Sequence, residues 1–194
     1  MAEGLLAISA AEQAVPAQEI LDRIAANEPV YYDGVIVSGD LDLSSLPAAK
    51  IPESLILVNC TVPNASFAGA IFAKDAVFWG TAFDNASFDK ATFLGRADFS
   101  NATFGPASFS GCTFSQPAFF NGAVFQNYVS FEDVAFGKDT FFNAARFLGS
   151  ANFNYSHFAS YTYFAASEFE GEALFRDVDF SEASDFSAAS FFGK

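Results

Sequence analysis

The chain has 194 residues and a formal net charge of −14, from 23 acidic against 9 basic side chains. That length fits one domain. The charge argues against direct nucleic-acid binding, which needs clustered Lys and Arg on the phosphates, and leaves room for a basic protein partner. No stretch reaches the ~18 to 20 consecutive apolar residues of a membrane span.

The first residues, Met1 to Leu6, lack the basic stretch that opens a secretory signal, which predicts a cytoplasmic protein. Residues 1–34 read as an N-terminal segment carrying a helical cap over 9–27. Ser9-Ala10-Ala11-Glu12 has capping-box form, Pro16 suits a first helical turn, and Ile20, Leu21 and Ile24 fall on one face. A cap has a physical purpose here, because the repeats that follow would otherwise end in unpaired strand edges and open rings.

From residue 35 to 194 one apolar residue recurs every five or six positions. The frame opens weakly at Ile36, Leu41, Leu46, Ile51, Leu57 and Val62, and then becomes a Phe at every step from Phe67 to Phe191. Two residues before nearly every centre sits a small side chain such as Ala65, Thr81, Cys112 or Ser156. Two residues after it, Gly or Asn is frequent, as at Gly69, Gly80, Asn85, Gly95, Asn101, Gly149 and Gly171. Positions two apart share one side of an extended segment, and Gly and Asn turn the chain through positive φ. Each repeat is therefore one short side of a coil; an amphipathic helix would need apolar spacing near 3.6.

The six-residue steps count the sides. They fall before Phe78, Phe99, Phe120, Phe142, Phe164 and Phe186, so they recur every 21 or 22 residues. An extra residue is best tolerated when it stacks on the same bulge in neighbouring coils, so one coil holds four repeats. From Phe125 onward a second bulge lies two sides away, before Phe131, Phe153 and Phe175. About seven and a half coils result, a stack of roughly 35 Å at the spacing of paired strands.

A small residue, any residue, a central Phe and a turn pair form the signature of the pentapeptide repeat family, which this chain resembles over residues 35–194, most closely its Phe-centred members with alternating five- and six-residue steps. The resemblance implies an all-β, right-handed quadrilateral β-helix. One branch of the family protects DNA gyrase by imitation of DNA.

The residue before each centre points outward, giving one column per side. One column is hydroxyl-rich, with Ser66, Ser87, Ser108, Ser130 and then Asn152. Another carries Ile56, Val77, Asp98, Phe119, Phe141, Tyr163 and Asp185, with Trp79 and Tyr161 alongside. Large apolar side chains on an outer wall mark a candidate interaction stripe, although an aromatic ladder stiffening its own stack is an alternative.

Acidic residues thicken toward the C-terminus, at Glu168, Glu170, Glu172, Asp177, Asp179, Glu182 and Asp185. They spread over several sides, and their spacing matches no calcium-binding loop. Phe186, Phe191 and Phe192 close the sequence without a cap and form a candidate end-to-end dimer seam.

No catalytic, cofactor-binding or metal-ligating set is legible. His157 is the only His and has no paired nucleophile, while Cys60 and Cys112 occupy small inward slots far apart in the chain. The sequence thus predicts a non-enzymatic, rigid interaction scaffold. Two alternatives stand beside it: a DNA mimic acting on a DNA-binding enzyme such as gyrase, and the soluble part of a larger, membrane-attached protein.

Overall fold

The computed structural model describes residues 13–46 and 50–193. They form a β-solenoid of about eight turns with one short N-terminal helix. Every strand pair is parallel, and successive coils place equivalent residues side by side: Phe93 beside Phe72 and Phe114, Phe104 beside Phe83 and Phe125. Four walls result. The first is an eight-stranded sheet from Val30–Asp33 to Ser184–Asp185, and the fourth a seven-stranded sheet from Lys50–Ile51 to Asp179–Phe180. The second and third join in one 14-stranded sheet, because strands Thr61–Ser66 and Ala82–Ser87 run through the corner between them.

The core is made of four Phe columns. Within a column the rings stack nearly parallel, as Phe88 on Phe109 at 4.8 Å and 3°, or Phe142 on Phe164 at 4.8 Å and 1°. Between walls they meet edge to face, as Phe109 and Phe120 at 5.5 Å and 89°. Both geometries are favoured by the ring quadrupole. Four rings converging on one axis leave room only for small side chains two positions earlier. Those slots hold Ala76, Ala97 and Ala118 on the first wall, all buried. Polar slots differ: Thr81 Oγ1 donates to Leu57 O at 2.7 Å and Cys112 Sγ to Phe88 O at 2.8 Å, whereas the buried hydroxyls of Ser167 and Ser184 have no hydrogen-bond partner among the described residues.

The corners are of two kinds. Those after the first and third walls turn through positive φ, at Gly80, Asn101, Gly122, Ala144 and Ala166 on one edge and Gly69, Lys90, Gly111, Asp133 and Tyr155 on the other. The corners after the second and fourth walls do not; Asn85, Gly95, Asn127, Gly149 and Gly171, which the sequence pattern groups with the positive-φ turns, keep negative φ. These are the corners that take the extra residue of each six-residue step. The coil offset rises from 21 residues at Thr103–Val124 to 22 at Ala107–Val129, where the second bulge enters.

The first coil departs from the expected frame. Val30 pairs with Leu55 and Ile36 with Thr61, both 25 residues away. Val37, fully buried, takes the inward position, and Ile36 points out, half-buried. Leu41 stands beside Ala65 in a small slot, and Leu43 is the buried residue two positions on. Gly34 and Gly39 are exposed turn residues with φ of 67° and 88°. The cause is an insertion: a 3-10 turn over Leu43–Ser45, capped by Asp42 Oδ1 accepting from Ser44 N at 2.9 Å, lengthens the third side.

The cap is a helix over Ala17–Ala25 whose Ile20, Leu21 and Ile24 are buried against the end of the stack. Pro16 precedes it as an extended N-cap residue, outside the first turn where the sequence pattern puts it. It ends a strand, Ala14–Pro16, that pairs with Ile36–Ser38. Tyr32 Oη donates to Glu19 Oε1 at 2.5 Å and ties helix to wall; burial first, then Glu19, raises that phenol's pKa. The expected capping box at Ser9–Glu12 lies outside the described residues.

Two outcomes follow. Phe120→Ala opens the column at mid-stack and costs about 3–5 kcal/mol in urea unfolding, against under ~0.5 kcal/mol for the outward Thr103→Ala. Ala166→Gly relieves a left-handed L-residue, with φ of 56°, and gains about 0.5–1 kcal/mol in the same assay.

Candidate interaction wall

The outward column of the first wall begins one coil earlier than the sequence frame. Tyr31 pairs with Ile56, Ile56 with Val77, Val77 with Asp98, and the column continues through Phe119, Phe141 and Tyr163 to Asp185. The parallel ladder fixes it: side chains one residue before each buried centre all emerge on the same line. Phe119, Phe141 and Tyr163 stack at 5.0 Å with interplanar angles of 2° to 3°. Their faces are covered by one another and their edges meet solvent, which leaves each ring half-buried. Trp79 borders the column along the corner after it and Tyr161 along the corner before it, both more than 40% exposed; Tyr31 is 64% exposed.

The centre of the column holds its one ion pair. Asp98 is 6% exposed beneath Arg96, whose guanidinium nitrogen lies 2.5 Å from Asp98 Oδ2. Asp98 Oδ1 also accepts from Ser100 N at 2.9 Å. The same guanidinium sits 4.7 Å over the Phe119 ring, a cation–π contact that caps the aromatic ladder. At the far end Asp185 Oδ1 accepts from Ser187 N at 2.8 Å, which holds its carboxyl below the usual range. The wall is thus apolar and internally neutral along most of its length.

The other residues singled out from the sequence are dispersed. Glu168 and Glu170 both bind Arg146 at 3.0 Å across the second wall and its corner. Asp179 meets His157 Nδ1 at 2.8 Å on the fourth wall. Glu172, Asp177 and Glu182 stand at three different corners. Asp185 alone of the acidic group lies on the aromatic wall. At the C-terminal coil Phe186 is half-buried, while Phe191 and Phe192 are 51% and 67% exposed.

The hydroxyl column of the third wall is a hydrogen-bonded ladder. Ser108 donates to Asp89, Ser110 Oγ lies 2.7 Å from Ser130 Oγ, and Asn152 Nδ2 donates to Glu132 Oε2 at 3.2 Å. A groove of about 400 Å³ near the N-terminal end is lined by Asp40, Asp42, Asn64, Ser66 and others. Within it Asn64 Nδ2 donates to Asp40 Oδ1 at 2.9 Å. Both cysteines are buried, and burial raises both thiols above their usual pKa, so neither is a poised nucleophile.

Tyr31 and Arg96 are the wall residues that sequence reasoning missed. Tyr31 lies behind the 25-residue coil, which breaks the 21-residue step that would have reached it. Arg96, two positions before Asp98, could have been found from that step, because it projects from the corner beside the column.

A model of pentapeptide repeats in nine copies matches residues 78–124 and 120–168. No curated protein matches. Among solved structures, the chain is similar to trypsin-treated QnrB1, a plasmid-mediated fluoroquinolone resistance protein, at 16% identity and a TM-score of 0.30, over 84% of this chain and 90% of that one. It is also similar to HetL, a pentapeptide repeat protein involved in heterocyst differentiation regulation from the cyanobacterium Nostoc sp. strain PCC 7120, at 14% identity and a TM-score of 0.23, over 93% and 94% of the two chains. The matched span, with its Phe columns and four-sided coils, is built of pentapeptide repeats.

Arg96→Ala leaves the Asp98 carboxylate buried without its partner and uncovers Phe119. We expect a loss of about 1–3 kcal/mol in urea unfolding, and less than additive loss when Asp98→Ala is combined with it.

Proposed function

We propose that this pentapeptide repeat protein is a non-catalytic, rigid protein-docking rod whose contact surface is the first wall. One observation carries the reading: the outward column from Tyr31 to Tyr163 is large and apolar on a chain with a net charge of −14. Aromatic side chains in contiguous, water-exposed rows are what protein interfaces use as anchors. The stacked rings are already ordered, so docking loses little side-chain entropy. Solubility alone gives no reason to place aromatics on an outer wall, because the strands are held by their own ladders whichever side chain points out.

Charge supports the other faces as solvated surfaces. The acidic side chains stand on several walls and corners, and Arg146 and His157 neutralise part of them. They do not form one continuous row of the kind an imitation of a phosphate backbone would need. Among the described residues, no helix is long and apolar enough to cross a membrane. An end-to-end contact through Phe186, Phe191 and Phe192 is a second, independent proposal, resting on the exposure of the last two rings.

The test is a quantitative capture experiment comparing the native chain with Phe119→Ser/Phe141→Ser/Tyr163→Ser. These positions point outward, so the variant keeps its fold, which circular dichroism checks. Loss of specific captured proteins supports the wall as the docking surface. Recovery of the same set by the folded variant overturns it.

A further inference from the structure

The aromatic ladder of the first wall ends on a cation that the chain supplies itself at one end, and on the same groups without a cation at the other. We infer that Tyr163 and Asp185 form a seat for the guanidinium of an arginine on a partner protein. This rests on the reading that the wall is a docking surface, and gives that surface a partner chemistry.

The filled end shows what the groups do. Phe141 covers one face of Phe119. On the other face lies the Arg96 guanidinium, 4.7 Å from the ring centroid and 2.5 Å from Asp98 Oδ2. Asp98 stands one coil before Phe119 in the outward column, and its Oδ1 accepts from Ser100 N at 2.9 Å. A guanidinium between a ring face and a carboxylate gains on both sides, because its plane stacks on the ring while its N–H edge meets the oxygens.

The far end has the same two groups in the opposite order along the rod. Phe141 covers one face of Tyr163, and Asp185 follows Tyr163 one coil later in the column. Asp185 Oδ1 accepts from Ser187 N at 2.8 Å, so this carboxylate is held as Asp98 is by Ser100. The counterpart of Arg96 is missing. From Arg96 the strand register leads along the corner through Pro117, Asp139 and Tyr161 to Ala183, which ends in a methyl. Among the described residues Asp185 has no ion-pair partner. It is half-buried, where Asp98 under its arginine is buried.

Charge and shape select the occupant. The chain carries a net charge of −14, and exposed Glu182 precedes Ala183 in the same corner, so the seat favours a cation. Tyr161, 47% exposed, borders it one coil earlier. A lysine ammonium would meet the carboxylate as a point charge without the flat contact that a guanidinium makes with a ring. A seat this open to water is worth about tenfold in the affinity of a larger docked surface. It therefore selects among partners for the wall and does not hold one by itself.

The probe is a Gly-Arg-Gly peptide blocked at both ends, with blocked Gly-Lys-Gly as the charge-matched control, titrated into the folded chain and followed by backbone amide NMR shifts. The arginine peptide should move the Asp185 and Ser187 amides saturably and bind several-fold tighter than the lysine peptide. Asp185→Asn keeps an oxygen for Ser187 N but loses the charge, and Tyr163→Leu loses the ring face; each should weaken arginine binding by about tenfold. Ala183→Arg supplies the missing guanidinium from within the chain and should close the seat to the peptide. Absence of saturable shifts, equal binding of the two peptides, shifts centred on other acidic residues, or arginine binding undiminished in these variants overturns the inference. The capture experiment separates this result from the wall itself. Proteins lost with the triple Ser variant but retained by Asp185→Asn and Ala183→Arg would leave the docking wall standing and overturn the arginine seat. Arginine binding at Tyr163 and Asp185, with capture unchanged in the triple variant, would instead overturn the wall as the docking surface.

Discussion

The structure depends on a coincidence of two spacings. Parallel strands hydrogen-bond at about 4.8 Å, and the Phe rings of each column stack at 4.5–5.2 Å. Because the two distances match, one residue type repeated at one position satisfies the backbone ladder and the ring stack together. A Leu at the same place would pack without a preferred partner distance. Phe fills the square cross-section from four sides, and the edge-to-face contacts between columns lock each coil to the next, as with Phe120 against both Phe109 and Phe131. Small side chains in the intervening slots are then obligatory, since the interior has no space for a second large residue per side.

The same matching governs the corners. A stack in register tolerates an additional residue only when neighbouring coils carry it at the same edge. The corner after the fourth wall carries one in every Phe-centred coil, and the corner after the second wall joins it from Phe125 onward. At the two remaining corners the chain turns through positive φ, and the backbone N–H of the turning residue still reaches the next coil, as Asn101 N to Asn121 O at 2.8 Å. That bond keeps even Ala144 and Ala166 in a conformation L-residues resist. Registry of the coils thus outweighs local preference at these positions.

How much of this was legible follows from where the pattern is redundant. Twenty-four Phe centres, each with a small residue two before it, over-determine the four walls, and the six-residue steps locate the corners that bulge. Ile36 and Leu41 were misread because the first coil has no Phe and a 25-residue length; β-branched and aliphatic residues at 35, 37, 41 and 43 fit either frame by type alone. Its 3-10 turn depends on the Asp42 cap, a contact with no periodic signature. Tyr31 went unseen for the same reason, being one irregular coil away. On the wall itself the aromatic row was readable from spacing. The burial of Asp98 was not, since it depends on Arg96 folding back over a corner toward Phe119.

A solenoid wall differs from an ordinary binding surface in having almost no freedom to adapt. Each outward side chain is held at an interval set by the strand ladder, and the rings from Phe119 to Tyr163 stack nearly parallel at 5.0 Å over those coils. Such a surface cannot gain affinity by induced fit, and its narrow width limits the apolar area it can cover. Its discriminating power lies in register instead. A partner must offer complementary groups at multiples of one coil spacing. The physical constraint that builds the rod, one spacing shared by backbone and rings, therefore also selects for partners that carry the same spacing.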